Sequence, residues 1–284
     1  MTETLGDRMK NYELQNEKKI KPYELFIVRL DGKCFSSFSK YFIKPFDDNF
    51  VKAMALTTKD LIEYFEAQTG YTHSDEITLI FNAKCSEEEF PNLNVNHTYD
   101  GRIQKILSLT SAYCSTRFNY HIFNIINDVK NKTIDYNINL LNLLQEHKQI
   151  FDARILIFNE ENKYEILNHQ IWRVRDCTRN CILTYGHTYL GKKIIHGKKT
   201  NEILEMLKEN VYYNITNEKI PFHLKYGLYC KKFLNEEPCL RTKFIFTQFE
   251  INFSNENLNM LLNKYWEQDF LNNTKIYEIV NNNT

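Results

Sequence analysis

Residues 24–33 read ELFIVRLDGK and residues 70–81 read GYTHSDEITLIF. The run at 24–30 is short, apolar and β-branched, with Pro22 before it and Asp31-Gly32 after it, which predicts a buried strand entering a turn. Residues 77–81 (ITLIF) predict another buried strand, entered through His73-Ser74-Asp75-Glu76 and preceded by a short strand around Gly70. Between the two runs, Asp47 can cap a helix whose apolar positions Phe50, Val51, Met54, Leu61, Ile62 and Phe65 keep helical spacing. After a polar loop over residues 82–100, Ile103, Ile106, Leu107, Cys114 and Phe118 predict a helix over 102–123, and residues 154–158 (RILIF) a further strand. The order is β-α-β-β-α-β, an α+β ferredoxin-like pattern. A helix over 164–183, a basic loop, a helix over 200–207, a hairpin (226–233 and 242–253) and a helix from Asn255 complete the reading. Residues 1–185 are expected to form the main domain, and residues 186–284 a C-terminal extension packed on it.

This topology brings two acids together. In a β-α-β unit the two strands run parallel, and the hairpin strand that follows inserts between them, antiparallel to both. Asp31 ends the first strand and Asp75 sits in the turn opening the third, so they should face each other at one end of the sheet. Converging carboxylates repel unless a cation neutralises them or one is protonated. Hard oxygen ligands of this kind suit Mg²⁺, which also binds phosphate oxygens. Gly32, lacking a Cβ, lets backbone groups approach a metal or triphosphate closely, and residues 31–36 can cradle phosphates where a helix begins. Asp-Gly after a strand and Ser-Asp-Glu before one are also ordinary turn chemistry. Residue pattern alone leaves the two readings level.

The remaining composition narrows the class. With 20 Phe and 18 Tyr in 284 residues, a sizeable core is expected. Lys and Arg balance Asp and Glu at 36 each, so a polyanion would bind only through local basic patches. Seven cysteines contain no CxxC pair, and Cys177 and Cys181 have no nearby partners to complete a zinc site. Reduced thiols fit an intracellular, cytoplasmic protein. The acidic, polar start and the absence of a span-length apolar run argue against secretion and the membrane.

Seven motifs follow one another along residues 7–208. They are Asp7-Arg8-Met9-Lys10 with Tyr12-Glu13, Val28-Arg29-Leu30-Asp31-Gly32-Lys33 with Phe35, and Phe42-x-Lys44-Pro45-Phe46-Asp47. Next come Ser74-Asp75-Glu76-Ile77, Phe151-Asp152-Ala153-Arg154, Trp172-Arg173-x-x-Asp176-x-Thr178-Arg179-Asn180 and His196-Gly197-Lys198-Lys199-Thr200. This ordered series resembles the histidine-tRNA guanylyltransferase family, including its Thg-like relatives that polymerise in the 3′-to-5′ direction. The resemblance implies a polymerase-palm fold, two-metal chemistry with Mg²⁺, a homotetramer, and ATP or GTP as activating and incoming nucleotides. The family activates a 5′-monophosphorylated tRNA, and the 3′-hydroxyl of an incoming nucleotide then attacks the activated phosphate. Carried onto this chain, it implies Asp31, the Gly32 carbonyl and Asp75 as metal ligands, with Glu76 a supporting catalytic carboxylate. Asp31, Gly32, Lys33, Cys34, Phe35, Ser36, Ser74 and Asp75 would contact the nucleotide. Lys44, Asp47, Arg102 and Lys105 would surround the activating triphosphate. Without the resemblance, Arg102 and Lys105, three apart on one helix face, read as a solvated basic edge.

One departure bears on substrate. Family members that add a non-templated G to histidine tRNA carry His-Ile-Asn-Asn where this chain has Thr178-Arg179-Asn180-Cys181. The Thr-Arg-Asn form is similar to the bacterial and archaeal type, which implies templated repair of truncated tRNA 5′ ends, with G addition to histidine tRNA as the alternative. For RNA contact, local charge points to Arg173, Arg179, Asn180, Lys198 and Lys199, and the last two also fall in a Gly-Lys motif similar to the family's. Basic clusters at Lys192-Lys193 with His187 and His196, at Lys18, Lys19 and Lys21, and at Lys231-Lys232 would meet phosphates without reading sequence. A palm-fold nucleotide cyclase or conventional polymerase would share the paired aspartates but not the later motifs. A non-catalytic RNA-binding module would show an RNP-type sequence, which is not found.

Overall fold

The computed structural model describes residues 3–128, 136–210, 212–235 and 241–279. In chain order these form α1 (Leu5–Leu14), β1 (Leu25–Gly32), α2 (Phe35–Ser39), α3 (Asp48–Phe65), β2 (Thr69–His73), β3 (Glu76–Phe81) and α4 (Ile103–Asn127). There follow α5 (Ile138–Gln145), β4 (Phe151–Phe158), α6 (Tyr164–Tyr189), α7 (Lys192–Ile195), α8 (Thr200–Glu209), α9 (Phe222–Tyr226), β5 (Leu228–Asn235) and β6 (Arg241–Gln248). The last are α10 (Asn255–Leu262), α11 (Gln268–Asn272) and β7 (Lys275–Tyr277).

All seven strands join one antiparallel sheet in the order β4-β1-β3-β2-β5-β6-β7. The first four stand as a β-α-β-β-α-β chain requires, with β3 inserted between β1 and β2. Alternation along β1 explains why its apolar run is unbroken, because both faces are covered. Phe26, Val28 and Leu30 pack in the core with residues of α3 and α4, whereas Leu25 and Ile27 pack with residues of α6. On the outer side of the first layer, Asp60 of α3 lies 2.6 Å from the Nε2 of His121 on α4 and pairs with Arg117. The second half of α6 leaves the sheet and packs with α7 and α8 through Cys181, Ile182, Tyr185, Ile195, Ile203 and Leu207.

The sheet continues into the C-terminal part at β2 and β5, where Gly70, Tyr71 and Thr72 face Cys230, Tyr229 and Leu228. The approach is close. Gly227, just before β5, has φ +77°, and a Cβ there would lie 2.5 Å from the Tyr71 ring.

Several elements differ from the expected ones. α1 buries no residue, so it lacked the apolar stripe that reveals a surface helix. α4 and α6 run on past residues 123 and 183, and β4 begins at Phe151. α5, α7, α9, α11 and β7 are short and were not expected. Among the described residues no helix is long and apolar enough to cross a membrane.

Candidate active site

Cross-strand register sets the acids side by side. Asp31 is the register partner of Glu76 on β3 and of Asp152 on β4. The Gly32 N–H donates to the Asp75 carbonyl at 3.1 Å, so the end of β1 is tied to the β2–β3 turn. Burial lifts the Asp31 carboxyl above its ordinary range, and Asp75, Glu76 and Asp152 lift it further against the pull of Arg29. Burial also raises the Asp75 carboxyl, although the Ser74 hydroxyl, donating to it at 3.0 Å, works the other way.

Glu76 is different in kind. Burial works to raise its carboxyl, but His73, Arg173 and Arg29 outweigh burial and hold it below the usual range. The Arg173 Nε lies 2.7 Å from the Glu76 carboxylate, a charge contact rather than an aligned hydrogen bond. Arg173 also donates to Asp176 at 2.7 Å, and its guanidinium lies 4.1 Å from the Trp172 ring centroid. Both members of the pair are buried. Glu76 is thus engaged by internal cations beside the acid pair, and Arg173, expected at RNA, is buried against it. Arg179 remains exposed while donating to Asp176, as does the half-buried Asn180 at 3.1 Å.

Beside Asp75 opens a cavity of about 310 Å³, a volume at the lower end of small-molecule sites. Of the residues expected at a nucleotide, Phe35, Ser36, Lys44, Asp47, Ser74 and Asp75 line it. Phe42, Phe46 and Phe50 supply aromatic wall. Burial lowers the Lys44 ammonium, partly offset by Asp47, and Lys44 donates to the Ser39 carbonyl at 2.8 Å. Asp47 is the N-cap of α3: it accepts from the amides of Asn49 at 2.9 Å, Phe50 at 3.2 Å and Ile43 at 3.2 Å, and from the Tyr136 hydroxyl. Its carboxylate therefore shapes the wall. Lys33 and Cys34 lie exposed on the turn from β1 to α2, with Cys34 at φ 59°.

Gly32 has a sharper explanation than backbone access. A Cβ there would lie 2.4 Å from the ring of Phe35, which packs against Phe118 and Phe151 in the core. Arg102 and Lys105 do not join the site in this chain. α4 starts beside residues that precede β1: the Ile103 amide donates to the Lys18 carbonyl and the Ile20 amide to the Gly101 carbonyl. α4 reaches Phe151, the register partner of Gly32, further along, through Ser111, Ser115 and Phe118. Arg102 pairs instead with Glu17 at 3.2 Å, and Lys105 sits over the Tyr99 ring at 5.3 Å.

Polar cavity residues that the sequence reading missed are Ser39, Thr72, His73, Thr184 and His223. His73 borders the acid motif and could have been included; His223, on α9, belongs to no spacing that marks it. Of the basic clusters, Lys192, Lys193, Lys198 and Lys199 are exposed with His187 and His196. In the N-terminal cluster Lys19 pairs with Asp100. Lys231 overturns its cluster: it is buried, donates to the carbonyls of Met260 and Asn263, and burial pulls its ammonium down to about 7.

Among the described residues no three His, Cys, Asp or Glu side chains form a ready metal cluster. The donor set still suits Mg²⁺, which is commonly held by one or two carboxylates plus substrate phosphates, and two carboxyls raised by burial and by neighbouring acids at one end of the sheet are such a pair.

An antiparallel sheet with helices on both faces, an acid pair at one end and a ligand-sized cavity beside it defines the class: an α+β protein with a small-molecule site at a sheet end. Comparison with known proteins specifies it. A family model described as tRNAHis guanylyltransferase (Thg1) matches residues 6–159. The chain belongs to this family, whose members are nucleotidyltransferases. It is 41% identical over 275 residues to an uncharacterised protein, R259, of Acanthamoeba polyphaga mimivirus, covering 95% of this chain and 92% of that one. It is 28% identical over 171 residues to the tRNA(His) guanylyltransferase of Debaryomyces hansenii, covering 59% of this chain and 55% of that one. The fold is shared with a bacterial tRNA(His) guanylyltransferase (Thg1)-like protein solved in complex with ATP, at TM-score 0.63 and 24% identity over 84% of this chain and 92% of that one.

Proposed function

We propose that this chain is a template-dependent 3′-to-5′ nucleotidyltransferase that rebuilds tRNA 5′ ends, on a polymerase-palm core with Asp31 and Asp75 as its metal-binding acids. The observation that carries the reading is the Gly32-to-Asp75 main-chain hydrogen bond, which holds the two acids at one end of the sheet beside the cavity. Mg²⁺ held there would offset charge on the leaving group, pyrophosphate in the activation step and the activating nucleoside monophosphate in the transfer step, and would lower the pKa of the attacking hydroxyl. The chain's own residues bind and orient. Ser36, Ser74 and Lys44 offer hydroxyl and ammonium donors to phosphate oxygens, and the aromatic wall takes the base of ATP or GTP and excludes water. Arg173, by pairing with Glu76, offsets part of the negative charge that this carboxylate brings next to Asp31 and Asp75. Residues 1–185 then carry the chemistry, while the exposed lysines of residues 186–284 meet RNA phosphates. Thr178-Arg179-Asn180 supports repair over G addition to histidine tRNA.

The test supplies tRNA lacking its first nucleotides, bearing a 5′-monophosphate, with labelled nucleotides, ATP and Mg²⁺. Extension by the nucleotide complementary to the opposite strand, lost in Asp31→Ala and Asp75→Ala, is the expected result. No product with the wild-type protein, or product that survives both substitutions, would sink the reading. Addition of G alone to full-length histidine tRNA would replace repair by guanylyl transfer.

A further inference from the structure

A line of aromatic rings leads away from the cavity. Phe46, in the cavity wall, lies 5.7 Å from Tyr185 between ring centroids; Tyr185 lies 6.0 Å from Tyr189, and Tyr189 4.4 Å from Tyr213. Tyr185 and Tyr189 are four residues apart on α6 and so share one face. The line starts buried and ends in solvent: Tyr185 is 9% exposed, Tyr213 48% and the adjoining Tyr212 90%. The Asn210 side-chain oxygen accepts from the amides of Tyr212 at 3.0 Å and Tyr213 at 3.2 Å. A tyrosine exposed to this degree adds almost nothing to the core.

Charge accompanies the rings. α6 ends at Tyr189, and the segment that follows carries Lys192, Lys193, Lys198 and Lys199 with His196, all exposed. Two carboxylates of α8 are turned to local partners, Glu202 to the Lys199 amide at 3.1 Å and Glu205 towards Lys208 at 3.8 Å. Two exposed rings, Tyr212 and Tyr213, beside the half-buried Tyr189 and a lysine-rich segment, suit a nucleic acid whose bases are free. A paired helix hides the base faces that rings of this kind would meet.

We propose that this surface binds an unpaired RNA strand leading to the cavity mouth, its bases stacking on Tyr189, Tyr213 and Tyr212 and its phosphates meeting the lysines. The inference rests on the reading that the substrate is RNA, and it names the strand form that the C-terminal part holds. The surface lies outside residues 6–159, which the family model matches.

Fluorescence anisotropy with labelled oligouridylate of about ten nucleotides, against a blunt RNA duplex, tests it over a salt series. Tyr212→Ala with Tyr213→Ala should weaken single-strand binding on the order of tenfold or more and leave the salt slope and the duplex affinity unchanged. Lys192→Gln with Lys193→Gln should lower the slope by about 1.4. Tyr212→Ala alone keeps the Tyr189–Tyr213 contact, so a smaller loss there, with an unchanged thermal midpoint, separates stacking from misfolding. Unchanged single-strand affinity in the double tyrosine variant overturns the proposal, as does an equal loss for duplex. A shift of molecular mass by light scattering with RNA affinity intact also overturns it and marks the face as a contact between copies. Tyrosine-dependent binding in a protein that extends no tRNA would remove the proposed function and leave the surface standing.

Discussion

Replacing Arg173 by Met tests the buried charge pair directly. The substitution keeps much of the side-chain volume and removes the guanidinium 2.7 Å from Glu76. Glu76 is 7% exposed, so water cannot take over the vacated role. Removing one partner of a buried pair costs about 3–5 kcal/mol because the other charge is left uncompensated. Arg29 at 4.0 Å and His73 at 3.4 Å remain near Glu76, which places the expected loss near the lower end, about 3 kcal/mol. The pH dependence has a defined sign. In the wild type the Glu76 carboxyl is held below its ordinary value, so its contribution is present above about pH 4.3 and is lost as pH falls through the lowered value. Without Arg173, burial is opposed by His73 and Arg29 alone, so the carboxyl rises from its lowered value and the stability it contributes above the carboxylate range shrinks. Urea unfolding at pH 5 and pH 7.5 should therefore show a larger deficit at the higher pH, and Glu76→Gln added to the variant should recover most of it. A loss below about 1 kcal/mol, a deficit equal at both pH values, or simple additivity in the double variant would refute the reasoning.

Other expectations concern the site and its supports. Asp31→Asn should abolish nucleotide transfer yet raise the metal-free thermal midpoint by about 2–4 °C, because it removes a carboxyl that burial and three acids oppose. In the same melts Mg²⁺ should stabilise the wild type and not the variant; equal stabilisation of both would remove Asp31 as a ligand. Gly32→Ala forces a Cβ to 2.4 Å from Phe35 and should cost about 1–3 kcal/mol by denaturant titration, with transfer activity falling as the Asp75 tether shifts. Asp60→Asn unties α3 from Arg117 and His121 on α4 and should cost about 1–3 kcal/mol at neutral pH. Burial acts to raise the Asp60 carboxyl, but its hydrogen bonds to His121 and Arg117 prevail and lower it, so wild type and variant should converge as the medium is acidified through the carboxylate range.

The strands around the acid pair were legible because β1 and β3 are covered on both faces, which writes each as an unbroken apolar run. α3 was legible from its period and from Asp47 at its cap. Lys231 shows where two neighbouring charges mislead. Along β5 it shares a face with Tyr229 and Phe233, both of which pack with residues of α10 and α11, so its register already pointed inward. Arg173 falls on the buried stripe of α6 with Ile166, Gln170, Cys177 and Cys181, a spacing that was present but masked by the arginine motif around it. Arg102 and Lys105 were placed by residue matching, and the chain path sets them apart from the acid pair within one chain. β3 starts at the acid end and leads away from it, so the helix after the intervening loop begins at the far end of the sheet. No local pattern marks His223, because it reaches the cavity through tertiary packing of α9 against α6.

The join between β2 and β5 also governs how this chain can be cut. A fragment stopping where the family match stops, or at the end of α6, would leave Gly70, Tyr71 and Thr72 as an outer strand with their N–H and C=O groups bare on that side. Such an edge invites pairing with another copy, and the Tyr71 hydroxyl would lose its bond to the Tyr226 carbonyl. The shortest piece that keeps the acid-bearing strands with both neighbours in place therefore extends to Asn235, and β5 itself is completed only by β6.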